Sequence, residues 1–209
     1  MHRVRYEGIQ HGPPTNDPGP LIVVSNHGAG MDPLLIQGAC RFAIRWMMAT
    51  DTMSPSLNWL WQWRRIIAVK RDGADSTPLR EAIRHVRGGG VLGVFPEGGL
   101  APRDGAIRAF MPGVGFIVSR AKAPVLLVWV SETPVCDSAF GALWRFSRSR
   151  VVFIDRMTFD EDADADSIVA QLRARLSEAS GWSLSDEPVP TARRPMSDPS
   201  NDDADPFAA

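Results

Sequence analysis

The chain has 209 residues, 44% hydrophobic and 22% charged, which excludes a disordered polymer or a fibre and fits a domain with its own core. The formal charge of −1 conceals an asymmetry, because residues 1–154 hold 18 Lys+Arg against 11 Asp+Glu while residues 155–209 hold 5 against 13; the basic part predicts an anionic partner. Two cysteines, Cys40 and Cys136, exclude a disulfide framework and a four-thiolate metal site. In chain order, 21–25 is a β-branched run framed by Pro20 and the polar Asn26-His27-Gly28. The runs 65–69, 91–95, 125–130 and 151–154 read the same way, as strands buried on both faces. Helical patterns lie between them. Asp32 is a candidate N-cap with Pro33 at the first helical position, and Leu34, Leu35 and Ile36 supply its apolar face. Thr77-Pro78 opens a helix over 79–86 with Leu79, Ile83 and Val86 on one face, ended by Gly88-Gly89-Gly90. Helices over 112–122 and 168–179 complete the set. Alternating strands and helices predict an α/β fold with a mixed, largely parallel sheet flanked by helices. From residue 186 the composition changes to five prolines and six acids with few apolar groups, too little to offset ordering entropy. The expected division is a domain over 1–185 and a disordered acidic tail over 186–209.

Three constellations have the residue types that chemistry needs. The loop Asn26 to Asp32 leaves a strand end, where ligand sites gather in α/β sheets. His27 carries an imidazole, whose ordinary pKa of about 6.5 suits proton transfer. Asp32 could return through the turn at Gly28 and Gly30, accept from one ring nitrogen and fix the tautomer. The alternative is a plain N-cap beside a turn histidine. The second constellation, Phe95-Pro96-Glu97-Gly98-Gly99, puts a carboxylate and glycine N–H groups after a buried strand, or forms a tight turn with a solvated glutamate. The third, 66–73, delivers Lys70, Arg71 and Asp72 into a turn, where Arg71 could hold a phosphate or make a surface ion pair.

Taken in order, His27-x4-Asp32 after a strand, the Lys70-Arg71-Asp72-Gly73 strand end, Phe95-Pro96-Glu97-Gly98 and Ala123-Pro124-Val125 resemble the glycerolipid acyltransferase family, lysophosphatidic acid acyltransferases among its members. The resemblance covers about Val4 to Val130 and implies that family's fold. It implies that His27 is the general base toward an acceptor hydroxyl, that Asp32 orients it, and that Arg71, Glu97 and Gly98 position the acceptor. The donor would be the thioester of acyl-CoA or acyl-carrier protein, with no covalent acyl-enzyme. One departure stands out. The family usually continues Thr-Arg-Ser after Phe-Pro-Glu-Gly, whereas this chain has Gly99-Leu100-Ala101, with the next basic residue at Arg103. Arg103 is therefore the candidate for the phosphate contact, with Pro102 constraining its loop.

The expected activity is O-acyl transfer from a thioester to a lysophospholipid-like hydroxyl. The alternatives are an inactive lipid-binding member of the family and a thioester hydrolase. Trp59, Trp61 and Trp63, followed by Arg64 and Arg65, resemble an interfacial segment for a membrane surface, or else pack in the core or line an acyl tunnel. The longest charge-free stretch, 18–31, has 14 residues against the roughly 20 that cross a bilayer. With no signal-peptide pattern at the start, the expected location is cytoplasmic, peripheral at the inner membrane face. His85, among Arg84 and Arg87, reads as a solvated group. No metal, no cofactor beyond the thioester co-substrate and no nucleic-acid partner are expected, because ligand spacing, a phosphate loop and a basic aromatic helix are all missing.

Overall fold

In a computed structural model, residues 3–53, 59, 65–70, 75–133 and 148–189 are described. They form a seven-stranded sheet in the order β1-β8-β7-β2-β5-β3-β4, built from β1 (Arg5–Glu7), β2 (Leu21–Ser25), β3 (Arg45–Ala49), β4 (Ile67–Val69), β5 (Val91–Val94), β7 (Val125–Ser131) and β8 (Arg150–Met157). All neighbours run parallel except β7 and β8. The expected mixed, largely parallel α/β sheet is the fold of this chain. A separate pair joins β6 (Ala106–Ile107) to β9 (Ser183–Leu184).

The β-branched runs become central strands because both of their faces are covered. In β2, Leu21 and Val23 pack with Ile36 of α1 (Asp32–Ala39), while Ile22 and Val24 face the larger core. That core is closed by α2 (Thr77–Arg87), α3 (Gly113–Ala121) and α4 (Ala165–Ser180). β7 divides in the same way, with Val125, Leu127 and Trp129 on one face and Leu126, Val128 and Val130 on the other. Each such aliphatic side chain contributes about 1.5–3 kcal/mol through burial. α3 and α4 approach closely at Gly115, where a β-carbon would lie 2.2 Å from the Ala165 carbonyl oxygen. Only a glycine permits that helix contact.

The parallel strands β7, β2 and β5 end side by side, so the loops that follow them share one edge of the sheet. The elements close to that edge decide the site. Asn26, just beyond β2, is buried and uses its whole amide to bind β7: Nδ2 donates to the Val130 carbonyl at 2.8 Å, and the Val130 N–H donates to Oδ1 at 2.8 Å. This two-way bond fixes the relative heights of the two loops.

The structure corrects two readings of single segments. His85 is not a solvated group; it is half-buried, with Nε2 3.1 Å from the Val91 carbonyl oxygen, and burial lowers its pKa. Residues 186–189, assigned to the acidic tail, are held against the domain. Arg108 donates to Glu187 at 2.9 Å, Arg173 donates to Asp186 at 3.0 Å, and Val189 is buried. The acids of this stretch are partners of two arginines. The rest of the tail, 190–209, lies outside the described residues.

Candidate active site

His27 and Asp32 come together because α1 begins immediately after the loop that leaves β2. Nδ1 of His27 lies 3.1 Å from Oδ2 of Asp32. The same oxygen accepts the backbone N–H groups of Gly28 at 2.9 Å and Ala29 at 2.8 Å. Three donors therefore converge on one oxygen of a carboxylate that is 1% exposed. A carboxylate oxygen only accepts, so Nδ1 carries the proton and the neutral ring keeps its lone pair on Nε2. Asp32 is not an N-cap: Met31 holds that position, and the Asp32 side chain turns back toward His27 instead of caring for its own helix. Gly28 and Gly30 do not serve through left-handed backbone, since neither has a positive φ. Gly28 serves by lacking a side chain, because a β-carbon there would lie 2.9 Å from Arg103 Nε.

The imidazole plane is set by stacking. His27 lies on Phe95 with ring centroids 4.0 Å apart, and Phe95 lies on Trp46 at 4.8 Å. Trp46 fits under this stack because Gly93, its partner across β3 and β5, has no β-carbon; one would stand 2.3 Å from the indole.

The cleft beside His27 is lined by Glu97, Pro102, Arg103, Glu132 and Trp182 among others. Arg103 reaches it because the loop after β5 is bound to the loop after β2, the Ala101 N–H donating to the His27 carbonyl at 2.8 Å. Glu97 is 5% exposed, and its Oε2 has no hydrogen-bond partner. Burial pushes its pKa up to about 7, against the lowering pull of the His27 backbone and of Arg108 and Arg173. Gly98 plays a different part from the one its sequence suggests. It takes a left-handed turn at φ 73°, its N–H is spent on the Phe95 carbonyl at 3.2 Å, and it is not among the cleft's lining residues. Arg71, Trp61 and Trp63 lie outside the described residues, and Trp59 is 68% exposed.

Sequence reasoning gave Asn26 no role of its own and missed the stacking of Phe95 on Trp46, Glu132 and Trp182. The only local signal for Trp182 is Gly181, which closes α4 in left-handed conformation and throws the next residue back toward the sheet. Among the described residues, no three His, Cys, Asp or Glu side chains are grouped to hold a metal ion, and no helix is long and apolar enough to cross a membrane.

The arrangement is an imidazole bonded to a buried carboxylate, beside a cleft with one cation among its described lining residues. The Acyltransferase family model matches residues 3–131, a stretch that contains His27, Asp32, Glu97 and Arg103. The chain belongs to the acyltransferase family. Among curated proteins, the chain is 28% identical over 120 residues to N-acylphosphatidylethanolamine synthase of Arabidopsis thaliana, covering 52% of this chain and 42% of that one. The chain thus aligns with less than half the length of that relative. Among solved structures, it is similar to the 1-acyl-sn-glycerophosphate acyltransferase PlsC of Thermotoga maritima, with a TM-score of 0.65 and 24% identity over 85% of this chain and 72% of that one. The likeness extends the shared fold past the family match.

Proposed function

We propose that this acyltransferase moves a fatty acyl group from the thioester of acyl-CoA or acyl-carrier protein to the hydroxyl of a lysophospholipid-like acceptor. The observation that carries this reading is the His27 Nδ1 to Asp32 Oδ2 contact at 3.1 Å, which leaves Nε2 as the acceptor nitrogen in a cleft. In the reaction, Nε2 takes the acceptor hydroxyl proton while the oxygen attacks the thioester carbonyl carbon. The buried Asp32 carboxylate steadies the imidazolium so formed. The tetrahedral intermediate then expels the thiolate, which takes the proton back from Nε2. An ester and a free thiol leave, and the base is restored. A positioned base supplies roughly 10²–10⁴ in rate, and alignment of hydroxyl and thioester supplies much of the remainder.

Arg103, beside Gly28, is the proposed contact for the acceptor phosphate, with Glu97 positioning the acceptor; the family resemblance adds Arg71 and the turn at Gly98. Leu34, Leu100 and Met111 are each about half exposed on or near the loops that follow β2 and β5. Exposed apolar side chains near these loops suit a lipid surface, and this supports a peripheral membrane reading in which Trp59, Trp61 and Trp63 also take part.

The test is thiol release by purified protein with palmitoyl-CoA and a panel of lysolipids, beside a His27→Ala control. Acceptor-dependent release that falls at least about a hundredfold in the variant is the expected result. Release independent of acceptor would make the protein a thioester hydrolase. No release with either CoA or carrier-protein donors would favour a lipid-binding member without activity.

A further inference from the structure

The cleft carries charges of both signs, and the inference drawn from this rests on the acyl-transfer reading above. Arg103 is the one cation among the described lining residues, and no carboxylate among the described residues pairs with it. It lies against Gly28, the residue that follows His27 in the chain. Leu100 occupies the position where the family resemblance expects a second, arginine side chain. Two carboxylates share the same lining, Glu97 and Glu132. Glu97 is buried, whereas Glu132 is exposed, just past the end of β7. Because Asn26 bonds Val130 through both ends of its amide, the chain positions of His27 and Glu132 diverge from one pinned point and flank the cleft together. Glu132 takes a left-handed φ of 58°, unusual for a residue with a β-carbon, at the turn that leaves the strand. Arg150 feels the charge of Glu132, but its guanidinium is already held by Glu7 at 3.0 and 2.5 Å. Trp182 completes the wall, its indole braced edge-on with Trp129 at a centroid distance of 4.9 Å.

A head group that is only a phosphate monoester brings close to two negative charges near neutral pH. In this cleft it would meet one guanidinium and the repulsion of Glu132. A head group with a phosphate and an ammonium matches the pattern: anion to guanidinium, cation to carboxylate, with the indole adding cation–π attraction. We propose that the acceptor is a zwitterionic lysolipid, its phosphate held by Arg103 and its ammonium held by Glu132 beside Trp182.

The experiment measures kcat/KM of the full chain for lysophosphatidylethanolamine, lysophosphatidylcholine and lysophosphatidic acid of one acyl length, in the same detergent. The unaltered protein should prefer the two ammonium-bearing acceptors. Glu132→Gln should lower the ratio of kcat/KM for lysophosphatidylethanolamine over lysophosphatidic acid by roughly fivefold, the size expected of a partly exposed ion pair. Arg103→Gln should lower kcat/KM for all three. A binding readout stands beside turnover: glycerophosphoethanolamine should compete better than glycerol 3-phosphate, and Glu132→Gln should erase the difference. A wild-type preference for lysophosphatidic acid, or a ratio that Glu132→Gln leaves in place, would overturn the head-group assignment while the acyl-transfer reading stood. Failure of every acceptor to support thiol release would overturn both.

Discussion

At the scale of single residues, the site depends on Asp32 Oδ2 accepting from three donors at once. Asp32→Asn exchanges one acceptor oxygen for an amide that either turns its N–H groups on the Gly28 and Ala29 N–H groups or faces His27 with no charge. In both cases the imidazolium loses its counter-charge, and in the first the tautomer also loses its restraint. The expected loss in kcat is on the order of a thousandfold, read by thiol release, with circular dichroism to check the fold. Gly28→Ala acts on the neighbouring side chain. Its β-carbon would stand 2.9 Å from Arg103 Nε, the far part of a flexible side chain, so the guanidinium shifts while the backbone stays. The acceptor KM should rise several-fold with a smaller change in kcat, which a substrate titration separates.

Between elements, the geometry of the base is carried by packing across β3 and β5. The His27–Phe95–Trp46 stack stands on Gly93, and a methyl group there would drive into the indole at 2.3 Å. Gly93→Ala should cost about 2–3 kcal/mol of stability by urea unfolding, the size of a buried overpacking defect. It should also lower kcat, because the ring under Phe95 moves. Trp46→Leu in the same chain relieves the clash, so stability recovers in part while kcat does not. β3 itself reads poorly from sequence. Arg45–Ala49 has no β-branched residue, and it becomes a strand through its pairing with β4 and β5. The β6–β9 pair is two residues on each side and joins positions more than seventy apart, so no local pattern announces it.

Across the whole molecule, burial of Glu97 sets stability against its place in the cleft. Its folded pKa of about 7 exceeds the ordinary 4.5, so between those values the folded chain binds the proton that the unfolded chain releases. Stability therefore falls as pH rises through that window, and the full penalty is present above about pH 7. Glu97→Gln should stabilise the protein by up to about 3 kcal/mol at pH 8 and by little at pH 4.5, a difference that urea unfolding at the two values measures. The cost is partly offset by Arg108 and Arg173, which are themselves held by Asp186 and Glu187 beyond the expected domain end. The C-terminal stretch thus belongs to the electrostatics of the site although its composition reads as solvated.

The strands 21–25, 91–94 and 125–131, the helix over 77–87 and the His27-x4-Asp32 pair were legible from sequence, because each rests on short-range rules. A continuous β-branched run must be covered on both faces, a helix declares its apolar spacing, and five residues across a turn bring an imidazole to a carboxylate. Arg103 was legible only as a candidate, since whether its loop folds back depends on the Ala101 to His27 bond. The role of Asn26 was not legible although it stands beside His27 in the chain, and Glu132 and Trp182 were not legible at all. Those two come to His27 from the end of β7 and from a helix C-terminus, and their nearness follows from parallel strand order and a single amide bridge. The sequence by itself determined the layers and the pairing of His27 with Asp32; the tertiary structure alone decided which charges face that imidazole, because distances between separate loops are set by packing of the whole sheet and not by spacing along the chain.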